Sequence, residues 1–281
     1  MLSFGERLRA TFADRGHLCL GIDPHSYLLT EWGLPDSAAG VREFALRVVD
    51  AAAASIGIIK PQVAFFERFG SAGFAALEDV LAAARASGLL VIADAKRGDV
   101  GTTVEAYGQA WLTPGSPLEA DALTISAFQG VGSIVAPIEL AVSTGKGLFV
   151  LAATSNPESV APQTAVLDRG DYSGSTVAAS IVREVGEYNA GKTLGPIGVV
   201  LGATLDLGDY GIGAGLLEHT PILAPGFGAQ GARIEDLETL YGAAFRNVLV
   251  SVSRDILSAG PRDIDVRLAT YAADVRESMG S

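Results

Sequence analysis

The chain has 281 residues, 49% of them hydrophobic, which is enough for a large core in either one α/β barrel or two smaller domains. Its 20 basic residues face 32 acidic ones, a net charge of −12, which argues against a nucleic-acid surface built on clustered Lys and Arg. The single cysteine, Cys19, rules out an intramolecular disulfide or a multi-cysteine metal site and, within Leu18-Cys19-Leu20, reads as a packed small hydrophobe.

Residues 1–7 lack the basic start and apolar stretch of a secretory signal. No apolar run approaches the ~20 residues needed to span a bilayer, so a cytoplasmic location without membrane contact is expected. A first strand is predicted over 17–23, ending in Asp23, and a second over 56–62, with Lys60 and Gln62 at its end. The third, 89–96, carries Asp94 and Lys96, with Asp99 and Thr103 just beyond. Strands follow over 122–127, over 147–154 with Ser155 next, and over 197–204. The seventh, 221–227, runs into a glycine-rich loop with Gln230, and the eighth, 247–253, is followed by Arg254. Helix-like segments such as 40–55 and 71–87 lie between them, and 28–37 reads as an irregular excursion.

Most of these strands are continuously apolar, as parallel strands buried on both faces are. Eight strand-helix alternations predict a (β/α)8 TIM barrel. A doubly wound sheet is the alternative, but Gly21-Ile22-Asp23-Pro24 stands where its Gly-x-Gly-x-x-Gly turn belongs. No linker or composition shift divides the chain, so one domain is expected over 1–281, with its barrel core over about 17–275. The polar, proline-containing stretch 156–174 is longer than an ordinary strand-helix loop and is expected to be a surface insertion or lid.

Chemistry in such barrels gathers at the C-terminal ends of the strands. Asp94 and Lys96, two apart on a strand, should point into one space. A lysine flanked by the carboxylates of Asp94 and Asp99 is favoured as an ammonium, hence a proton donor rather than a Schiff-base nucleophile. With Lys60 they form an alternating network of four charges. Buried ion pairs are poor stabilisers, so gathering four charges points to function. At the other side of the rim, the 225–232 loop and Arg254 match the usual phosphate site of these barrels, where backbone N–H groups and a forked cation hold the anion.

These residues together carry a resemblance. Gly21-Ile22-Asp23, Lys60-Pro61-Gln62, Asp94-Ala95-Lys96-Arg97-Gly98-Asp99 with Thr103, 225–231 and Ser253-Arg254 resemble, in order, the orotidine 5′-phosphate decarboxylase family, in its bacterial branch of mycobacterial type. The resemblance implies decarboxylation of orotidine 5′-monophosphate to UMP without metal or cofactor. It assigns Lys96 to protonating C6 of the pyrimidine, Asp94 to the neighbourhood of the substrate carboxylate, and Lys60 and Asp23 to the ribose hydroxyls. Ser155 is assigned to the pyrimidine edge, Gln230 to a link between pyrimidine and phosphate, and Arg254 to the 5′-phosphate. Asp99 and Thr103 reach the neighbouring subunit's site, which implies a homodimer. Ser253 departs from the family's commonest pattern, which has glycine before the phosphate arginine, and 156–174 has no counterpart in short members.

Three other readings remain at this stage. A metal-dependent phosphosugar decarboxylase or hexulose phosphate synthase of the same superfamily needs an acidic ligand where Lys60 stands. A class I aldolase needs a neutral lysine. A non-catalytic phosphate-binding barrel leaves Lys96 and its carboxylates without a task.

Overall fold

In the computed structural model, which describes residues 1–280, eight parallel strands close into one barrel in sequence order: β1 (Leu18–Ile22), β2 (Ile58–Pro61), β3 (Leu90–Arg97), β4 (Ala122–Ser126), β5 (Gly147–Ala153), β6 (Ile197–Leu201), β7 (Ile222–Pro225) and β8 (Val248–Val252). Each predicted strand is present, one or more residues shorter at several ends. β1, β2, β6 and β8 are buried at every position, because helices cover the outside of the barrel and side chains fill the inside. Among the described residues no helix is long and apolar enough to cross a membrane.

Strand alternation sorts the apolar residues into two clusters. Leu18, Leu20, Ile59, Val91, Leu123 and Val250 face the helices. Cys19, Ile58, Leu90, Ile92, Ala122, Phe149, Leu223 and Leu249 pack within the barrel. Burial raises the Cys19 thiol to about 12, so it behaves as the predicted small hydrophobe.

The barrel floor is closed by an element that the strand-helix count did not include, the helix Phe4–Arg15. Ser3 caps it in a reciprocal pair with Glu6: the Glu6 N–H donates to Ser3 Oγ at 3.3 Å, and the Ser3 N–H donates to Glu6 Oε2 at 2.7 Å. Phe4 and Leu8 reach the inner cluster, and Phe4 meets Phe149 edge to face at 5.9 Å. Gly147 makes room for this plug, since a Cβ there would lie 2.3 Å from the Phe4 ring. With the floor sealed by aromatic rings, the open end of the barrel is its C-terminal rim.

Two expectations need correction. The excursion over 28–37 begins as a helix, Ser26–Glu31, with Leu28 and Leu29 buried; its apolar pair outweighs the surrounding turn residues. The supporting helix at the end of the chain runs over Gly260–Met279, past the expected limit of 275.

Candidate active site

The inward set of each strand continues beyond the apolar core to the rim, and there it becomes polar. Inward positions 19, 58, 92, 122 and 249 are followed at steps of two by Asp23, Lys60 and Gln62, Asp94, Thr124, and Ser251 and Ser253. A period of two therefore delivers seven polar side chains to the C-terminal rim of the barrel.

Asp94 is the hub. Its Oδ2 accepts from Lys60 Nζ at 2.8 Å and its Oδ1 from Lys96 Nζ at 2.5 Å. Lys60 and Asp94 are 7% and 8% exposed, whereas the Lys96 side chain is 45% exposed and reaches into the cavity. Burial alone would push Lys60 down, but the charges of Asp94 and Asp23 outweigh it and hold the ammonium above the ordinary lysine value. Burial would likewise raise Asp94; Lys60 and Lys96 prevail and hold the carboxyl well below the usual carboxylate range. The Gln62 amide, oriented to satisfy all its neighbours, donates from Nε2 to Asp94 Oδ2 at 2.7 Å and to the Asp94 carbonyl at 2.9 Å, and accepts from Lys96 Nζ at 3.2 Å.

Lys96 does not reach this position by simple strand alternation. Between the pairs Ala93–Leu123 and Arg97–Ile125, β3 advances four residues while β4 advances two. The surplus is absorbed at Lys96, whose φ of 49° lies in the left-handed region and is the only such value at a non-glycine position among the described residues. Thr124 holds this bulge. Its Oγ1 accepts from the Lys96 backbone N–H at 2.9 Å and donates to Asp94 Oδ1 at 2.9 Å. Sequence reasoning passed over Thr124, although a polar residue in the apolar run 122–127 at an inward position was a usable signal.

The other expected residues divide. Asp23 and Arg254 line a cavity of 80 Å3 against the glycine-rich loop; Lys60 also faces it. Ser155 lines the neighbouring cavity of 220 Å3 with Lys96 and Asp94, and Gln230 borders both. Arg254 makes no ion pair among the described residues, so its guanidinium is available to an anion. Asp99 does not join the network within one chain. The bulge directs the chain away after Arg97, and Asp99 Oδ1 instead accepts from the Val100 N–H at 2.8 Å. Thr103, in the first turn of the helix Gly101–Leu112, is exposed and lines neither cavity.

The stretch 156–174 contains the helix Val160–Thr164, and its Val166 bridges to Thr176 just beyond it. It is tied to the end of β5. Gln163 accepts from the Thr154 N–H at 2.9 Å and donates to Thr154 Oγ1 at 3.0 Å, while Ser159 Oγ donates to the Thr154 carbonyl at 2.6 Å. The segment thereby fixes the turn that presents Ser155, a role its polarity alone did not reveal.

Comparison with known proteins gives a consistent result. Residues 16–267 match the family model of the orotidine 5′-phosphate decarboxylase / HUMPS family. An orotidine 5′-phosphate decarboxylase of Nocardioides sp. is 50% identical over 265 residues, covering 94% of this chain and 95% of that one. One of Streptomyces coelicolor is 48% identical over 283 residues and 99% of each chain. The solved structure described as a putative orotidine 5′-phosphate decarboxylase from Streptomyces avermitilis superposes with a TM-score of 0.93 at 47% identity, covering 100% of this chain and 97% of that one.

Proposed function

The chain belongs to the orotidine 5′-phosphate decarboxylase / HUMPS family and decarboxylates orotidine 5′-monophosphate to UMP in pyrimidine synthesis; from that premise we propose that Lys60, Asp94 and Lys96 are its reaction centre. The observation that carries this reading is one buried carboxylate shared by two ammonium groups, one buried and one turned into a cavity that adjoins the cavity lined by Arg254.

The bond between C6 and the carboxylate breaks, CO2 departs, and the electron pair stays on C6. Lys96 Nζ, fixed by Asp94, Gln62 and the strained backbone, stabilises the developing negative charge and then gives its proton to C6. Because these charges are oriented before the substrate arrives, little reorganisation is needed at the moment of reaction. Asp94 lies close to the leaving carboxylate, and Lys60 keeps Asp94 ionised and in place.

The remaining assignments follow the cavities. Arg254 binds the 5′-phosphate beside the backbone of 226–229, and Asp23 with Lys60 binds ribose hydroxyls. Ser155 meets the pyrimidine edge, and Gln230, bordering both cavities, links the pyrimidine and phosphate ends. Binding energy from the distant phosphate can then be used to close the glycine-rich loop over the reacting atoms. Asp99 and Thr103 serve the site of a second subunit. In support, Val100 is 52% and Phe128 89% exposed on adjoining loops beside Asp99, an apolar rim that a second copy of the chain would cover. A Cβ on Gly98 would lie 2.6 Å from the Ser126 carbonyl, which shows how closely those loops approach.

The Lys60 ammonium stands against a divalent cation at the end of β2, which disfavours the metal-dependent phosphosugar reading. The test is direct loss of the orotidylate chromophore with and without chelator. Full activity in EDTA is expected; activity lost in EDTA and restored by Mg²⁺ would overturn the reading.

A further inference from the structure

β1 and β8 are parallel neighbours, with Leu20 level with Val252, so the chain positions that follow bring Asp23 and Ser253 together at the rim. Both carry a buried oxygen that is left without a hydrogen-bond partner: Asp23 Oδ1 and Ser253 Oγ. Buried polar atoms are seldom left unpaired, because their desolvation is then uncompensated. The two flank a common space that exists because residue 21 is glycine. A Cβ on Gly21 would lie 2.8 Å from Ser253 Cβ, 3.3 Å from Ser253 Oγ and 3.5 Å from Asp23 Oδ1. Both side chains line the 80 Å3 cavity that also holds Arg254.

Chemistry limits what can satisfy both atoms at once. A carboxylate only accepts, and a serine hydroxyl can also donate. A phosphate oxygen set against Asp23 meets like charge, and an ammonium could donate to both atoms but would enter a cavity that the cations of Lys60 and Arg254 already line. A hydroxyl fits both, donating to Asp23 Oδ1 and accepting from Ser253 Oγ–H.

We propose that Ser253 is a specificity-determining residue of the substrate site, its hydroxyl bracketing with Asp23 a single ribose hydroxyl of the nucleotide. The inference rests on the assignment of Asp23 to the ribose. It gives Ser253 a task that a glycine before Arg254 could not perform, and it explains why Gly21 is needed: any side chain there would occupy the place of the sugar hydroxyl.

The test compares wild type and Ser253→Ala in calorimetric titrations with UMP, 2′-deoxy-UMP and 3′-deoxy-UMP, with turnover of orotidine 5′-monophosphate measured alongside. Loss of one neutral hydrogen bond predicts that Ser253→Ala weakens UMP about tenfold. One of the two deoxy analogues should then be bound by both proteins within about twofold, since the group Ser253 serves is already missing. Equal weakening of all three ligands would overturn the proposal, because that is the pattern of a contact to phosphate or of general damage to the site. No weakening of UMP would overturn it as well. If wild type failed to turn over orotidine 5′-monophosphate, the fault would lie in the assigned activity; an active wild type without the analogue difference refutes Ser253 alone.

Discussion

Replacing Thr124 with valine keeps the branched shape of the side chain but removes two hydrogen bonds at the centre of the site. The Lys96 N–H, held in a left-handed conformation, loses its acceptor, and an unsatisfied backbone donor there costs about 1–3 kcal/mol. Asp94 Oδ1 also loses a charge-assisted bond, but Asp94 keeps Lys60, Lys96 and Gln62, so part of that loss is recovered. A net cost of about 2 kcal/mol remains, and if it falls on the position of Lys96 it corresponds to roughly a 30-fold loss of rate. Steady-state decarboxylation by wild type, Thr124→Val and Thr124→Ser, with a thermal melt of each, measures this. For valine, kcat should fall about 30-fold with KM within about threefold, and the melting temperature should drop by roughly 4–8 °C. Serine, which retains the hydroxyl, should recover most of kcat. A valine variant with wild-type kcat, or a serine variant as impaired as valine, would refute the view that Thr124 holds the proton donor in place.

Three other outcomes are expected. Arg254→Ala should raise KM for the nucleotide far more than for the corresponding nucleoside, checked by parallel kinetics on both; equal effects would remove Arg254 from the phosphate. Inactive Lys96→Ala and Asp99→Ala proteins, mixed under conditions where subunit exchange is demonstrated, should regain activity through mixed dimers, and continued inactivity would show that Asp99 does not act across an interface. Asp94 is held below the ordinary carboxylate value in the folded chain, so its pairing contributes fully at neutral pH and is lost as pH falls through that lowered value. Urea unfolding from pH 7 downward should therefore show wild type losing stability relative to Asp94→Asn below about pH 4, where the unfolded carboxyl begins to take up a proton. Parallel curves for the two proteins would contradict the burial and pairing described here.

The amino-acid sequence by itself determined the architecture and brought most of the proposed reaction centre to one rim. Eight apolar runs separated by helical segments have few other ways to bury themselves, and the step of two along each strand places Asp23, Lys60 and Asp94 at one rim whatever the loops do. The comparisons with known decarboxylases agree with what those motifs implied about activity. What the tertiary structure alone decided concerns atoms brought together from distant parts of the chain. Thr124 stands out on its own strand as an inward polar residue, but its contact with Lys96 does not, because that contact arises from a mismatch in advance between β3 and β4. Gln163 lies in a segment whose composition shows only a polar excursion, and its hold on Thr154 exists only once that segment folds back on β5. Asp99 looked like a second carboxylate for Lys96 because it is three residues away; the left-handed turn at Lys96 sends it elsewhere. Ser253 and Asp23, at opposite ends of the sequence, meet because a closed barrel pairs its first strand with its last. Periodicity along one strand is local and readable, whereas register between strands depends on how the whole barrel closes, and these side chains take their roles from that closure.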